Sequence, residues 1–344
     1  MTDVAKVGPS LAPADLPLLA HLDRLMEELH AQVPKALQDW DEEGIHRARV
    51  ATRRLSAALR LVKMVVAKKR RKALSRVLRK LRRRLGPLRD ADVMLGHLQE
   101  ISDGAAKHGA AVEWLVGRLV EEREALRQES AKRVGAAQVL ADLGAWHPVR
   151  EQIAEARDAL PKLLAESLHL QLDAFVEHAG RIVQGAADAA HHDPHELRIA
   201  GKALRYTLEM AVAQGSELPA SVMKTFKRMQ ELLGAWHDFV VLADKAMAVS
   251  LHHLLSHRDP ALQEEVFDLA RTTLRRSARE LGQFAKVWSA KGQQLAGVIR
   301  AAFPLSPAPA GRLVSESQTD RGRLDSGAEA ASAASPPDAP SAAS

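Results

Sequence analysis

The sequence predicts an all-α protein made of two copies of one helical unit, facing each other about a pseudo-two-fold, with a disordered C-terminal tail. Three observations lead there. Ala, Leu, Glu, Arg and Gln dominate, apolar residues recur at helical spacing, and strand signals are weak. An internal repeat is present: IHRARVATRRLSAALRLV at 45–62 matches PHELRIAGKALRYTLEMA at 194–211, and LRKLRRRLGPLRDADVML at 78–95 matches FKRMQELLGAWHDFVVLA at 226–243. The two offsets, 149 and 148, are nearly equal, so His46 aligns with His195, Arg49 with Arg198, Arg53 with Lys202 and Asp90 with Asp238. Finally, Ala, Ser and Pro take over from about residue 304, a composition that cannot bury a core.

Taken in order, helices are expected at about 14–39, 45–66, 70–85 and 88–102, then 109–135 and 148–164. The second unit follows with about 165–187, 194–213, 219–233, 236–257 and 260–302. Glycine and proline mark the joints: Gly44, Gly86-Pro87, Pro148, Asp193-Pro194, Pro219 and Gly234. The helix after Gly44 puts Leu55, Ala58, Leu59, Val62 and Val66 on one apolar face; the next does the same with Leu74, Leu78, Leu81 and Leu85. At 193–196, Asp-Pro-His-Glu reads as N-cap, N1, N2 and N3, which places His195 in a first helical turn. The expected organisation is residues 14–150 for the first repeat, 163–302 for the second and 304–344 for the tail.

Composition narrows the chemistry. The chain has 344 residues and no cysteine, which excludes disulfides, Cys-ligated metals, Fe–S clusters and Cys nucleophiles. Aromatics are only 3%, too few for a surface that stacks nucleobases. The start lacks a secretory signal pattern and no stretch reaches about 20 apolar residues, so a soluble cytoplasmic protein is expected, with no membrane partner.

Charge is unevenly placed. Residues 44–89 hold 18 Lys and Arg and no Asp or Glu, whereas the remainder has 31 basic and 43 acidic side chains. Within this segment His46, Arg49, Arg53 and Arg60 form one stripe, opposite the apolar face. His195, Arg198, Lys202 and Arg205 form the same stripe in the second repeat. The next helix adds Arg76, Arg79 and Arg83; its counterpart keeps Lys224, Lys227 and Arg228, with Glu231 in place of the last. Like charges on one helix face repel, and a bound polyanion would remove that cost. A histidine in a first turn can also donate to a phosphate oxygen beside free backbone N–H groups.

These residues resemble the conserved-histidine α-helical domain family, CHAD. The resemblance is carried by His46-x-x-Arg49-Val50-x-x-Arg53-Arg54-Leu55 and Leu85-Gly86-x-x-Arg89-Asp90-x-Asp92-Val93. In the second half it rests on His195-x-x-Arg198-Ile199-x-Gly201-Lys202-x-Leu204-Arg205-Tyr206 and Leu233-Gly234-x-x-x-Asp238. It covers roughly residues 14–302, and Ser56 departs from it where a basic residue is frequent. The resemblance implies two four-helix bundles around a basic central cavity that binds inorganic polyphosphate and directs the protein to polyphosphate granules. The fourteen basic residues named above are the expected contacts, without cofactor or metal.

The same residues bear on other functions. No Walker A, His-Glu-x-x-His or Glu-x-Glu-x-Lys motif occurs, so no catalysis is expected. Asp90 and Asp92 read as helix-start or inter-helix contacts rather than Mg²⁺ ligands. His191-His192-x-x-His195 and His252-His253-x-x-x-His257 have no counterpart in the first repeat and read as surface histidines. Non-specific binding of a nucleic-acid phosphate backbone is the alternative function.

Overall fold

A computed structural model describes residues 16–104, 108–184, 194–256 and 259–305, the side chains of 252–256 excepted. The Asp193 cap, His191, His192, His257 and the tail beyond 305 lie outside these residues, as do the side chains of His252 and His253. The protein is all-α. Its helices are α1 (Pro17–Pro34), α2 (Glu42–Leu61), α3 (Lys68–Gly104), α4 (Gly109–Ala131) and α5 (Ala136–Leu143). The rest are α6 (His147–Glu155), α7 (Leu160–Gln184), α8 (Pro194–Ala213), α9 (Ala220–Ser256) and α10 (Pro260–Ala302). Among the described residues no helix is long and apolar enough to cross a membrane.

Several boundaries differ from the sequence expectation, each for a packing reason. The breaks expected at Gly86-Pro87 and at Gly234 are absent: α3 and α9 each run unbroken for 37 residues. Pro87 removes one backbone donor and is exposed. The fully buried Leu85 and Leu88 on either side hold the helix through it, since burying each is worth about 1.5–3 kcal/mol. Gly44 is not a joint but part of the first turn of α2. Asp41 caps that turn, its carboxylate accepting from the Gly44 amide at 2.6 Å. A β-carbon at position 44 would come within 2.7 Å of Lys35 Cβ, so glycine lets the end of the first hairpin close. The basic run Lys68–Lys72 is the first turn of α3, where cations oppose the helix dipole. A short α5 occupies part of the connection that carried no predicted helix, and α7 runs unbroken through 164–165.

The order of packing repeats. α1 lies on α2, α2 on α3 and α3 on α4, and likewise α7 on α8, α8 on α9 and α9 on α10. α2 meets α8, α3 meets α9 and α4 meets α10, while α1 touches α8 and α2 touches α7. One apolar core threads both halves, with Leu55, Leu74 and Leu85 from the first joined to Leu204, Phe226 and Phe284 from the second. Phe175 sits at its centre, edge-on to Phe226, Phe284 and Trp288 at 5.4, 6.5 and 5.5 Å. A second cluster seals the far ends of α3, α4, α9 and α10 around Leu98, Leu115, Leu242 and Leu269. The two long hairpins thus hold α2 and α8 side by side, with their charged stripes between α3 and α9.

Candidate anion-binding site

Four helices deliver cations to one place. α2 contributes His46, Arg49 and Arg53, α8 contributes His195, Arg198 and Lys202, α3 contributes Arg82 and Arg89, and α9 contributes His237. Arg49 is only 7% exposed. Its Nη1 donates to the Arg82 carbonyl at 3.2 Å, and its Nη2 stands 3.5 Å from Asp90 Oδ1. Gly86 makes this possible, because a β-carbon there would lie 2.9 Å from Arg49 Nη1. The Leu-Gly-x-x-Arg-Asp motif is therefore a seat for Arg49: glycine opens the surface of α3 and aspartate holds the guanidinium from below.

The second half repeats the plan with fewer charges. Asp238 faces Arg198 as Asp90 faces Arg49. By the sequence offset, Gln230 stands where the first half has Arg82, and His237 where it has Arg89. Gly201 leaves room for Gln230, whose amide would collide with a β-carbon at that position. Arg198 Nε and Gln230 Nε2 are both buried without a hydrogen-bond acceptor. Buried donors are nearly always paired, so an acceptor entering the cleft would satisfy both of these.

Crowding shows in the proton affinities. Burial first, then the charges of Arg198, Arg53 and Arg49, push the Lys202 ammonium down to about 7 despite the opposing pull of Asp238. Burial and the neighbouring Arg53 lower Arg49 to about 10. Burial and Arg198 lower His237 to about 4, and its ring lies 5.5 Å from that of His195. His46, Arg60, Arg82 and Arg198 are lowered too, in each case chiefly by burial. For Asp238, burial works upward, but His97, with Nε2 3.8 Å from its Oδ2, and Arg198 outweigh it and keep the carboxyl below its ordinary value.

A cavity of about 750 Å³ adjoins this cluster between α1, α2, α8 and α9; His46, Arg53, Lys202 and Arg205 line it, whereas Arg49, Arg198 and the α3 cations lie outside its wall. Arg54 and Arg205 are both held there by Glu209. Arg54 donates through Nε at 2.8 Å and Nη2 at 3.2 Å, and Arg205 through Nε at 2.9 Å. His21 and Arg24 of α1 line the same cavity and continue into an adjoining groove past Arg54.

The expected contacts separate into two groups. His46, Arg49, Arg53, His195, Arg198, Lys202 and Arg205 come together, and Arg60 and Arg79 reach the cluster through their proximity to Arg82. Arg76 and Arg83 do not: both are exposed on α3 away from the cleft, and Arg83 lines a separate cavity. Lys224 and Arg228 face a pocket shared with Lys286 and Lys291 of α10, and Lys227 is paired with Glu231 at 3.8 Å. On α3 the cleft side is marked by Arg79, Arg82, Gly86 and Arg89, spaced i, i+3, i+7 and i+10, a stripe visible in the sequence. The same repeat alignment could have found His237, as the partner of Arg89. His21 and Arg24 carried no such signal. Asp90 and Asp92 are inter-helix contacts: Asp90 holds Arg49 and Asp92 accepts from Arg123 of α4 at 2.5 Å. Both sit in the middle of α3, not at a helix start. Among the described residues no three His, Asp or Glu side chains are grouped to hold a metal ion.

This fold and basic cleft define a class. The chain belongs to the CHAD-domain family, whose model matches residues 20–247. Among solved structures it is similar to the crystal structure of the CHAD domain from the plant Ricinus communis, at 21% identity and a TM-score of 0.55. That match covers 83% of this chain and 90% of the other. A further match is PptA from Streptomyces chartreusis, at 15% identity and a TM-score of 0.47, covering 78% and 99%. No curated protein matches the chain.

Proposed function

We propose that the chain binds inorganic polyphosphate, without catalysis, in the cleft between α2, α3, α8 and α9. The observation that carries this reading is the convergence of Arg49, Arg53, Arg198 and Lys202 in one place, where burial first and the neighbouring cations second hold the Lys202 ammonium down to about 7, beside two buried donors with no acceptor. Such a site is costly when empty and relaxes when phosphate oxygens arrive. Arginine suits the role because its fixed fork can bridge oxygens of successive phosphates. The carboxylates of the cleft are engaged with cations: Asp90 with Arg49, Asp238 with Arg198 and His97, Glu209 with Arg54 and Arg205, and on the cavity wall Glu28 and Glu43 with Arg47 and Glu231 with Lys227, which supports binding rather than phosphoryl transfer. Among the described residues Tyr206 is the single Phe, Tyr or Trp of the cavity wall, too few rings to stack successive bases, which favours a bare phosphate chain over a nucleic acid. In a cell containing polyphosphate granules, the same cleft would bring the protein to them.

Direct titration with long-chain polyphosphate tests this. Arg53→Gln with Lys202→Gln keeps the apolar contacts and removes two cleft charges. We expect at least a tenfold loss of affinity, and a steep decline with salt in the unmodified chain. Unchanged affinity in the double variant, or a flat salt response, would overturn the reading.

A further inference from the structure

α3 carries a second basic site on its other flank. Val77, Lys80, Leu81 and Arg84 fall at i, i+3, i+4 and i+7, one stripe of the helix. At 100° per residue this stripe lies nearly opposite Arg79, Arg82, Gly86 and Arg89, so a helix diameter of about 10 Å separates it from the cleft. There α3 faces the segment just past α4 and the body of α5 across a cavity of about 460 Å³. That volume suits a small molecule.

The lining is of two kinds. Val77, Leu81, Val134 and Val139 supply an aliphatic floor, and Val134 keeps 54% of its surface exposed. Lys80, Arg83 and Arg133 supply charge. Arg84 belongs to the framework: its guanidinium donates to the Ser130 carbonyl at 2.6 Å and to that of Val134, closing the end of α4. Among the described residues Lys80 and Arg83 have no ion pair, and Arg133 meets only Glu129, with both side chains more than half exposed. A pair so exposed contributes little and is easily exchanged. One acceptor is present, Asp142, which takes a bond from Gln138 Nε2 at 2.9 Å.

Each feature selects a ligand property. Three cations against one carboxylate call for a multivalent anion. A largely buried aliphatic floor with Val134 exposed at its edge calls for an apolar face on the same molecule, and a guanidinium at the mouth can stack on a ring. Asp142 repels a bare phosphate and accepts from a hydroxyl or amino group. We propose that this cavity binds a nucleoside di- or triphosphate, with the base on the valine floor and the phosphates at Lys80, Arg83 and Arg133. This site is separate from the polyphosphate cleft and does not depend on it.

The test uses the full chain carrying Arg53→Gln and Lys202→Gln, so that the cleft contributes little. ATP and inorganic tripolyphosphate, similar in charge, are titrated calorimetrically. ATP should bind at one site, at least tenfold tighter than tripolyphosphate. Lys80→Ala with Arg83→Ala should weaken ATP at least tenfold. Val139→Asp should abolish ATP binding, and the exposed Val134→Ser should weaken it several-fold even if Val139→Asp fails to fold. Both valine variants, made in the otherwise unmodified chain, should leave polyphosphate affinity unchanged. Equal affinity for ATP and tripolyphosphate, or ATP binding indifferent to Val134→Ser and to the Lys80/Arg83 pair, would overturn the proposal.

Discussion

Proton uptake at Lys202 is the sharpest consequence of the crowded cleft. In the free protein this ammonium is held down to about 7 by burial and by Arg198, Arg53 and Arg49. Phosphate oxygens would offset the burial by pairing with the ammonium itself and would neutralise those neighbours, raising it toward the ordinary lysine value of about 10.4. At pH 8 the free side chain is about one-tenth protonated, so binding should take up about 0.9 proton. Affinity should fall about tenfold per pH unit above 7, or about 1.4 kcal/mol each. His46 and His237, both lowered below the ordinary histidine value, contribute mainly in more acidic solution. Calorimetry at pH 8 in two buffers of different ionisation enthalpy reads the uptake directly. Lys202→Arg, charged throughout, should flatten the pH dependence and abolish most of the uptake. The sign for folding follows: because the folded value lies below the unfolded one, the penalty is fully present below about pH 7. It is relieved as pH rises toward the unfolded value of about 10.4. Zero uptake, or an equal slope for Lys202→Arg, would mean that the free cleft does not hold Lys202 down.

Other substitutions probe separate parts. Gly234 has open space around its missing side chain, so Gly234→Ala should raise stability by about 0.5–1 kcal/mol in thermal or chemical denaturation. Gly86→Ala has the same gain in helix propensity but displaces Arg49, so binding should weaken several-fold with little net gain in stability. Glu209→Gln frees Arg54 and Arg205 for the ligand. Polyphosphate affinity should rise a few-fold while the lost charged hydrogen bonds cost about 1–3 kcal/mol of unfolding free energy. Phe175→Ala removes the centre of the aromatic cluster and should cost about 3–5 kcal/mol in denaturant titration.

The helical character and the paired His-x-x-Arg stripes were legible because period and repeat are properties of the chain itself. The observed α8 and α10 have the expected bounds at 194–213 and 260–302. Helix continuity was less legible, since Pro87 and Gly234 read locally as breaks while the leucines around them pack across the junctions. The cations of α3 posed a different difficulty. With arginine at 82, 83 and 84, consecutive residues point in three directions about 100° apart, so basic side chains flank the apolar face on both sides and lie opposite it. Arg82 faces the cleft, Arg83 lies exposed beside the second cavity and Arg84 braces α4, and only the neighbouring helices decide which is which. His21 and Arg24 enter the cleft from α1, a segment that carried no motif to mark them.

The proposed cleft would select a bare phosphate chain over a nucleic acid. Competition between long-chain polyphosphate and a labelled duplex DNA, at about 150 mM salt where exposed charges are screened beyond roughly 8 Å, measures that selectivity directly. Polyphosphate should displace the DNA at well below equimolar phosphate, and Arg53→Gln with Lys202→Gln should erase the preference. Equal competition per phosphate by the two polymers would contradict the account and identify the cleft as a general phosphate-backbone surface.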